Sequence, residues 1–171
     1  MNGWNNTGHL LEGTTAIVTG STRGIGAVIT KQLASVGSSV VVSGRTLEEG
    51  KQVVDNINEG GGEAVFRQTD VRNPDDLRQL TETAISEFGG IDILVNNAAF
   101  ETDTSPDDVD LDMWNAIIET NFRAYWLTAK YAYPYIVESD NGSIVNIESN
   151  HADSPPPPPF PSPSLPPLFS P

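Results

Sequence analysis

The sequence predicts an α/β protein built on a doubly wound, parallel sheet. Short apolar runs alternate along the chain with longer segments of helical periodicity, which is the pattern of successive βαβ units. Several of these runs are nearly continuous β-branched stretches, as expected for strands that are covered on both faces. Right-handed crossovers between such strands produce an open sheet with helices on both sides.

Five short apolar runs are predicted to be strands, and the segments between them are predicted to be helices. The predicted strands cover residues 15–19, 39–43, 64–67, 91–95 and 143–147. Thr46 and Glu49 form a capping-box pattern ahead of the second helix. Asn73 and Pro74 supply an N-cap and a first-turn proline ahead of the third helix.

The third and fourth helices each show an apolar face at helical spacing. On the third helix this face holds Leu77, Leu80, Ala84, Ile85 and Phe88. On the fourth, longer helix it holds Trp114, Ile117, Ile118, Phe122 and Tyr125.

The composition argues against several classes of function. Nine basic and 23 acidic residues give a formal net charge of −14, so no basic patch is available for nucleic acid or for an anionic membrane surface. The acidity fits a well-solvated cytosolic surface or a high-salt intracellular environment, and the scarcity of Lys favours the second.

The chain contains no Cys, which excludes disulfides and thiolate metal sites. The first nine residues lack the basic and apolar regions of a signal peptide, and no apolar run approaches the length of a membrane span. A soluble cytoplasmic protein is therefore expected.

Composition divides the chain into three parts: a flexible N-terminus at 1–10, a foldable domain at 11–150 and a tail at 151–171. Residues 154–171 contain only Ser, Pro, Phe and Leu. Because Pro lacks an N–H group and fixes φ, a disordered, polyproline-like tail is expected.

A glycine-rich turn, TGSTRGIG, occupies residues 19–26 directly after the first strand and opens a helix. Gly20 permits a sharp turn, while Gly24 and Gly26 allow close approach of the backbone to a pyrophosphate. The helix N-terminus favours the phosphate charge. The spacing departs from G-x-G-x-x-G, so on this motif alone an ordinary βα turn is an equal interpretation.

A second motif, NNAA, occupies residues 96–99 at the end of the fourth strand. The carboxyl ends of strands line the ligand crevice in this architecture. Small residues there leave room for a ring, and Asn amides can bond neighbouring backbone. Taken alone, this motif is equally well interpreted as a strand-ending turn.

Together, the two motifs resemble the short-chain dehydrogenase/reductase family, and the resemblance covers residues 11–149. It implies a Rossmann-type doubly wound sheet with strand order 3-2-1-4-5, an NAD(P) cofactor, a homo-oligomer, and hydride transfer to or from a small carbonyl or alcohol. It also implies adenine contacts from Asp70 and Val71. The implied cofactor contacts are Gly20, Ser21, Thr22, Arg23, Gly24, Ile25, Gly26, Arg45, Asp70, Val71, Asn97, Ala98 and Ala99.

The resemblance also implies two catalytic positions. Asn121 matches the family Asn that supports a proton-relay water, and Ser149 matches the Ser that orients substrate. Glu148 stands where a small residue is more usual. Without the resemblance, Asn121 would be a satisfied core amide or a helix kink, and Ser149 would be a turn residue.

The charged residues around the end of the second strand bear on the choice between NAD(H) and NADP(H). An acid at the end of the second strand would bond the ribose hydroxyls of NAD and repel a 2′-phosphate. This chain has Gly44 there, with Arg45 next to it and Arg23 in the glycine turn. Two guanidiniums suit a phosphate, so NADP(H) is favoured over NAD(H). The alternative is that Arg45 only solvates a loop.

The family's catalytic Tyr-x-x-x-Lys is missing from the sequence. The corresponding window, residues 160–164, contains no Tyr, all four Tyr precede Ser149, and no Lys follows Lys130. Since that Lys makes the phenol usable near neutral pH, impaired or absent turnover is expected. The helix that carries both residues, which is half of the family's usual subunit interface, is absent as well. Truncation of the doubly wound sheet after its fifth strand is expected to leave a strand edge and the apolar face of the long helix uncovered, and so to favour aggregation.

Three functional hypotheses remain open from the sequence. The chain is an oxidoreductase by descent, a non-catalytic dinucleotide-binding fragment, or an interaction protein that uses its Pro-rich tail. The tail composition resembles translation of a GC-rich gene in a wrong frame, which favours a frameshift or gene truncation over a native tail.

Overall fold

The computed structural model describes residues 10–102, 104–105 and 107–148. The strands are β1 Thr15–Val18, β2 Ser39–Gly44, β3 Glu63–Gln68, β4 Ile93–Asn96 and β5 Ser143–Asn146. The helices are α1 Gly24–Ser35, α2 Leu47–Glu59, α3 Pro74–Phe88, α4 Leu111–Ile118 and α5 Ala124–Ile136. A π-helical turn, Glu119–Arg123, joins α4 to α5. The predicted tail and flexible N-terminus lie outside the described residues, apart from Leu10.

All five strands pair in parallel in the order β3-β2-β1-β4-β5, which confirms the predicted doubly wound sheet. The winding of the chain reverses after β3, because β4 pairs on the opposite side of β1 from β2. Such a reversal opens a crevice at the carboxyl ends of the central strands.

The core lies in two layers, one on each face of the sheet, because successive strand residues point to opposite faces. Ala16 and Val18 pack toward α1 and α2, whereas Ile17 packs toward α3 and α5. All three side chains are fully buried. From the helices, the first layer receives Ala27, Ala34, Val53 and Ile57, and the second receives Leu80, Ala84, Ala132 and Ile136.

The last strand departs from the expectation that the strands are covered on both faces. All four residues of β5 are exposed, including Ile144 and Val145. β5 is an end strand of the described sheet, paired with β4 on one edge. The other end of the described sheet is β3, whose central residues are partly or fully buried.

Both predicted helix starts are confirmed, but only one of the two predicted caps forms. The Asn73 side chain accepts a hydrogen bond of 3.0 Å from the Asp75 N–H at the start of α3. Thr46 precedes α2 as predicted, but its side chain makes no capping hydrogen bond. The capping box fails because the Glu49 carboxylate accepts a tertiary hydrogen bond from Thr22 instead.

The helix predicted as long and continuous is divided by the π-helical turn into α4 and α5. This turn was not predicted from the sequence. Its wider winding breaks the helical spacing, so residues on either side no longer share one face. Ile117 is buried as predicted, but Trp114 is 51% exposed and Phe122 is 65% exposed. The prediction that these two residues belong to a core face is therefore wrong.

The predicted strand boundaries shift by one or two residues, most clearly at β4. This strand begins at Ile93 rather than at residue 91, although Ile91 is buried ahead of it. The Asp92 carboxylate accepts a 2.7 Å hydrogen bond from the Thr15 N–H. A side chain thus takes a position that a backbone carbonyl would otherwise occupy in the ladder.

We expect the exposed edge at β5 to promote association of the chain, because unpaired strand edges template pairing with other strands. Val145, which is 41% exposed, is the test position. V145K should reduce light scattering on heating and increase the monomer fraction in size-exclusion chromatography. The control is Q52K on the exposed face of α2, which adds the same charge away from the edge. Equal improvement by both variants would attribute the effect to net charge alone.

Candidate functional site

The glycine turn after β1 and the segment after β4 form one hydrogen-bonded unit. The Asn97 Nδ2 group donates to the carbonyl oxygens of Thr19 at 2.9 Å and Gly20 at 3.0 Å. The Thr19 hydroxyl oxygen accepts from the backbone N–H groups of Asn97 at 2.9 Å and Ala98 at 3.1 Å. The two sequence motifs are therefore in direct contact, and each satisfies backbone groups of the other.

Two of the glycines are required by the closeness of this contact. Gly20 has φ +64°, and a Cβ atom there would lie 2.8 Å from the Ala98 Cα atom. A Cβ atom at Gly26 would lie 2.5 Å from Asn97 Nδ2 and equally close to the Gly20 carbonyl oxygen. Any larger residue at either position would push the turn away from β4.

A crevice of about 250 Å³ opens at the carboxyl ends of β1 to β4, beside this unit. Its walls come from the glycine turn, the β2–α2 and β3–α3 connections, the segment after β4 and the π-helical turn. The lining residues are Gly20, Thr22, Arg23, Gly44, Arg45, Thr46, Glu49, Thr69, Asp70, Val71, Arg72, Asn97, Ala98, Ala99, Phe100 and Thr120.

Most of the predicted cofactor contacts lie on this crevice, but Ser21, Gly24, Ile25 and Gly26 do not. Ser21 is fully buried, and its hydroxyl donates to the Val18 carbonyl at 2.7 Å. The same hydroxyl oxygen accepts from the Ser43 N–H at 2.9 Å. Its side chain therefore ties the glycine turn to β2. The cofactor-binding role of all thirteen predicted contacts, on the crevice or off it, stays a prediction.

Three guanidinium groups line the crevice, and they belong to Arg23, Arg45 and Arg72. Arg23 and Arg45 were predicted from the sequence to contact the cofactor, and Arg72 was not. Its position directly after the predicted adenine residues is the signal that could have found it. Two acidic residues, Glu49 and Asp70, line the same crevice, so its charge is mixed.

Arg72 is paired with Asp70 through two side-chain contacts. Its Nη2 atom lies 2.8 Å from Asp70 Oδ2, and its Nε atom lies 3.2 Å from Asp70 Oδ1. The hydrogen bond from the Arg72 side chain holds the pKa of the Asp70 carboxyl below its ordinary value, against the opposing effect of burial. Asp70 is therefore ionised at neutral pH, with both of its oxygens bound to its neighbour.

Asn121 lies in the π-helical turn and binds the backbone of Phe100, a crevice residue. Its Oδ1 atom accepts from the Phe100 N–H at 2.8 Å, and its Nδ2 group donates to the Phe100 carbonyl at 2.9 Å. The amide thus holds the segment after β4 beside the crevice. Its catalytic role stays a prediction, and Ser149 lies outside the described residues.

Tyr125, which lies near the end of β5, does not replace the missing phenol. Its hydroxyl donates to the Ile147 carbonyl at 3.2 Å. Burial, followed by the charge of Glu148, raises the pKa of Tyr125 above its ordinary value. Because a useful general acid or base has a pKa near the working pH, this shift is in the wrong direction for catalysis.

The described ranges hold no group of three or more His, Asp or Glu side chains arranged to bind a metal ion. Within the same part of the chain, none of the helices combines the length and the apolar character needed to cross a membrane.

The fold is an α/β domain with a crevice at the switch point of a parallel sheet. The model of the family described as short chain dehydrogenase matches residues 14–158. A 3-oxoacyl-[acyl-carrier-protein] reductase of Synechocystis is 37% identical over 135 residues. Glucose 1-dehydrogenase 2 of Bacillus subtilis is 33% identical over 150 residues. The chain therefore belongs to the short-chain dehydrogenase/reductase family, whose members are oxidoreductases.

A solved structure shares both the fold and the sequence pattern. The short chain dehydrogenase of Burkholderia cenocepacia in complex with NADP is 36% identical, with a TM-score of 0.81, and the match covers 86% of this chain and 60% of that chain. The two curated relatives are matched over 78% and 86% of this chain, but over only 55% and 58% of their own lengths. The chain thus spans little more than half of the proteins that it resembles.

We expect the Gly20→Ala variant to lose both stability and the shape of the turn. The left-handed φ and the contact with Ala98 together should cost about 3 kcal/mol or more of unfolding free energy. Gly61→Ala is the matched control, because Gly61 also has positive φ but a Cβ atom there would meet nothing within 4 Å. That variant should lose only about 1–2 kcal/mol in urea denaturation. Equal losses would show that the contact with β4 contributes nothing.

Proposed function

We propose that this chain binds a nicotinamide dinucleotide in the crevice, and that NADP(H) is favoured over NAD(H). The observation that carries the proposal is the hydrogen-bonded unit of the glycine turn and the segment after β4, with guanidinium groups beside it. The residues present fit such a cofactor. Small side chains at Ala98 and Ala99 line the crevice, and the glycine turn opens directly into α1.

The start of α1 supports phosphate binding. The first N–H groups of a helix have no partner within the helix, and its dipole favours negative charge at that end. No acidic residue occurs in the first turn of α1, and Arg23 immediately precedes the helix. A Cβ atom at Gly24 would meet nothing within 4 Å, so the backbone of the turn at that position is open to a ligand.

The preference for NADP(H) is supported by charge and by a relative. Gly44 ends β2 where an acid would otherwise repel a 2′-phosphate, and Arg23 and Arg45 lie on the same crevice. Guanidinium groups suit a phosphate because they donate two parallel hydrogen bonds. The bound NADP of the Burkholderia cenocepacia relative agrees with this choice.

The reaction of the whole protein is proposed to be hydride transfer involving a small carbonyl or alcohol substrate. The bound nicotinamide would supply or accept the hydride. Among the residues of this chain, Asn121 fixes the backbone at Phe100 and thereby positions the crevice wall. The acid–base pair that would move the proton is missing, because the sequence contains no Tyr-x-x-x-Lys.

A second candidate, a dinucleotide-binding chain without turnover, is favoured by that missing pair. Loss of a general acid–base group alone costs about 10²–10⁴-fold in rate. The third hypothesis, recruitment of a partner through the Pro-rich tail, concerns residues outside those that the structure describes.

We expect Arg45→Ala to weaken NADPH binding about tenfold while leaving NADH binding nearly unchanged, because only NADPH carries the 2′-phosphate. Both affinities are measured by fluorescence titration of the full chain. Lys51→Ala is the control, because it removes one positive charge from the exposed face of α2 outside the crevice. Equal weakening of both dinucleotides would contradict the assigned role of Arg45.

The full chain should show no oxidation of NADPH with a panel of ketones and no reduction of NADP⁺ with the matching alcohols. The same samples must bind NADPH in the titration, which shows that they are folded. Clear turnover would contradict the non-catalytic interpretation and would require another proton donor in the chain.

A further inference from the structure

The corner of the crevice between β2 and the glycine turn has no room for the acid that would select NAD(H). A Cβ atom at Gly44 would lie 2.6 Å from the Thr22 Cγ2 atom and 3.2 Å from its hydroxyl oxygen. The Thr22 methyl group thus fills the space into which a side chain at position 44 would extend. A larger residue at the end of β2 would therefore require the Thr22 side chain to move.

A carboxylate nevertheless reaches this corner from another element. Glu49 lies in the first turn of α2, is partly buried and lines the crevice. The Thr22 hydroxyl donates a 3.2 Å hydrogen bond to Glu49 Oε2. The Thr22 methyl group thus occupies the space of an acidic side chain at position 44, while the Thr22 hydroxyl binds the Glu49 carboxylate.

The Glu49 side chain does not make the capping hydrogen bond that its place in the helix predicts. Three residues after the N-cap, a Glu commonly bonds back to the start of its own helix. Here the cap of α2 has no side-chain hydrogen bond, and Glu49 faces the glycine turn instead. The carboxylate is held toward the crevice by a contact between residues 27 positions apart in sequence.

The arginines of this corner do not neutralise that carboxylate. In the part of the chain that the structure describes, neither Arg23 nor Arg45 forms an ion pair with Glu49. Both cations and the acid line the same crevice. A ligand at this corner therefore meets two guanidinium groups and the Glu49 carboxylate, which form no ion pair with one another. Asp70, on the same crevice, is bound to Arg72, and the charge of Arg45 also contributes to lowering the pKa of Asp70.

We propose that Glu49 is a specificity-determining residue that limits the preference for NADP(H). The inference rests on the proposed function of the crevice. The Glu49 carboxylate favours a 2′-hydroxyl, which can donate a hydrogen bond to it, and repels a 2′-phosphate, which cannot. Arg23 and Arg45 act in the opposite direction. The chain therefore accepts both dinucleotides, with a modest margin for the phosphorylated one.

The test is the ratio of the NADPH and NADH dissociation constants in the full chain, measured by fluorescence titration. Glu49→Gln should tighten NADPH binding about tenfold, because it removes one unit charge beside the phosphate. NADH binding should weaken a few-fold, because a neutral amide is a poorer acceptor than a carboxylate. The gain for NADPH should shrink at high salt, as expected for a charge effect at a partly exposed site.

Glu48→Gln is the matched control. Glu48 lies beside Glu49 in the first turn of α2, but it is exposed and does not line the crevice. It should change the ratio less than twofold, since it makes no contact with the ligand site. Glu49→Ala provides a second variant, expected to shift the ratio in the same direction, and circular dichroism checks that each variant is folded.

The possible outcomes separate this inference from the proposed function. If the unmodified chain binds both dinucleotides and Glu49→Gln changes their ratio no more than Glu48→Gln, the role of Glu49 is wrong while the cofactor site stands. If neither dinucleotide binds to the unmodified chain or to any folded variant, the cofactor site itself is wrong, and the inference fails with it.

Discussion

The candidate site depends on the contact between the Asn97 amide and the carbonyl oxygens of the glycine turn. This contact joins β1 to β4 at the point where the winding of the sheet reverses, and the crevice opens directly beside it. It also explains the glycines, because Gly20 and Gly26 have no space for a side chain against the segment after β4. The glycine spacing and the shape of the crevice thus follow from one close approach of two backbones.

One ion pair accounts for two of the charged side chains that line the crevice. Arg72 is bound to Asp70, which leaves Arg23 and Arg45 as the two guanidinium groups of the crevice that form no ion pair among the described residues. The strong acidity of the whole chain is a property of its surface and composition. The crevice differs from that average, because three of the nine basic residues line it. The charge of the crevice therefore cannot be inferred from the net charge of the whole chain.

The parts of the structure that could be predicted are those determined by local pattern. Short apolar runs, several of them rich in β-branched residues, marked all five strands, and Asn73 with Pro74 marked the start of α3. The parts that were missed depend on distant partners. Glu49 has the sequence context of a helix cap, but Thr22 competes successfully for its carboxylate. The π-helical turn left no signal in apolar spacing, so Phe122 was placed on the wrong face.

The contact at the glycine turn also has a consequence for the order in which the molecule assembles. The backbone and side-chain partners of Thr19 and Gly20 in this contact lie 77 to 79 residues further along the chain. During synthesis the turn emerges long before the residues that hold it, so its final shape is completed only after β4 docks. Contacts of such long sequence separation form late, because the loop-closure entropy must be overcome first. Any ligand that binds only the completed turn would stabilise the docked state by mass action, and so would act as a folding aid for the nascent domain.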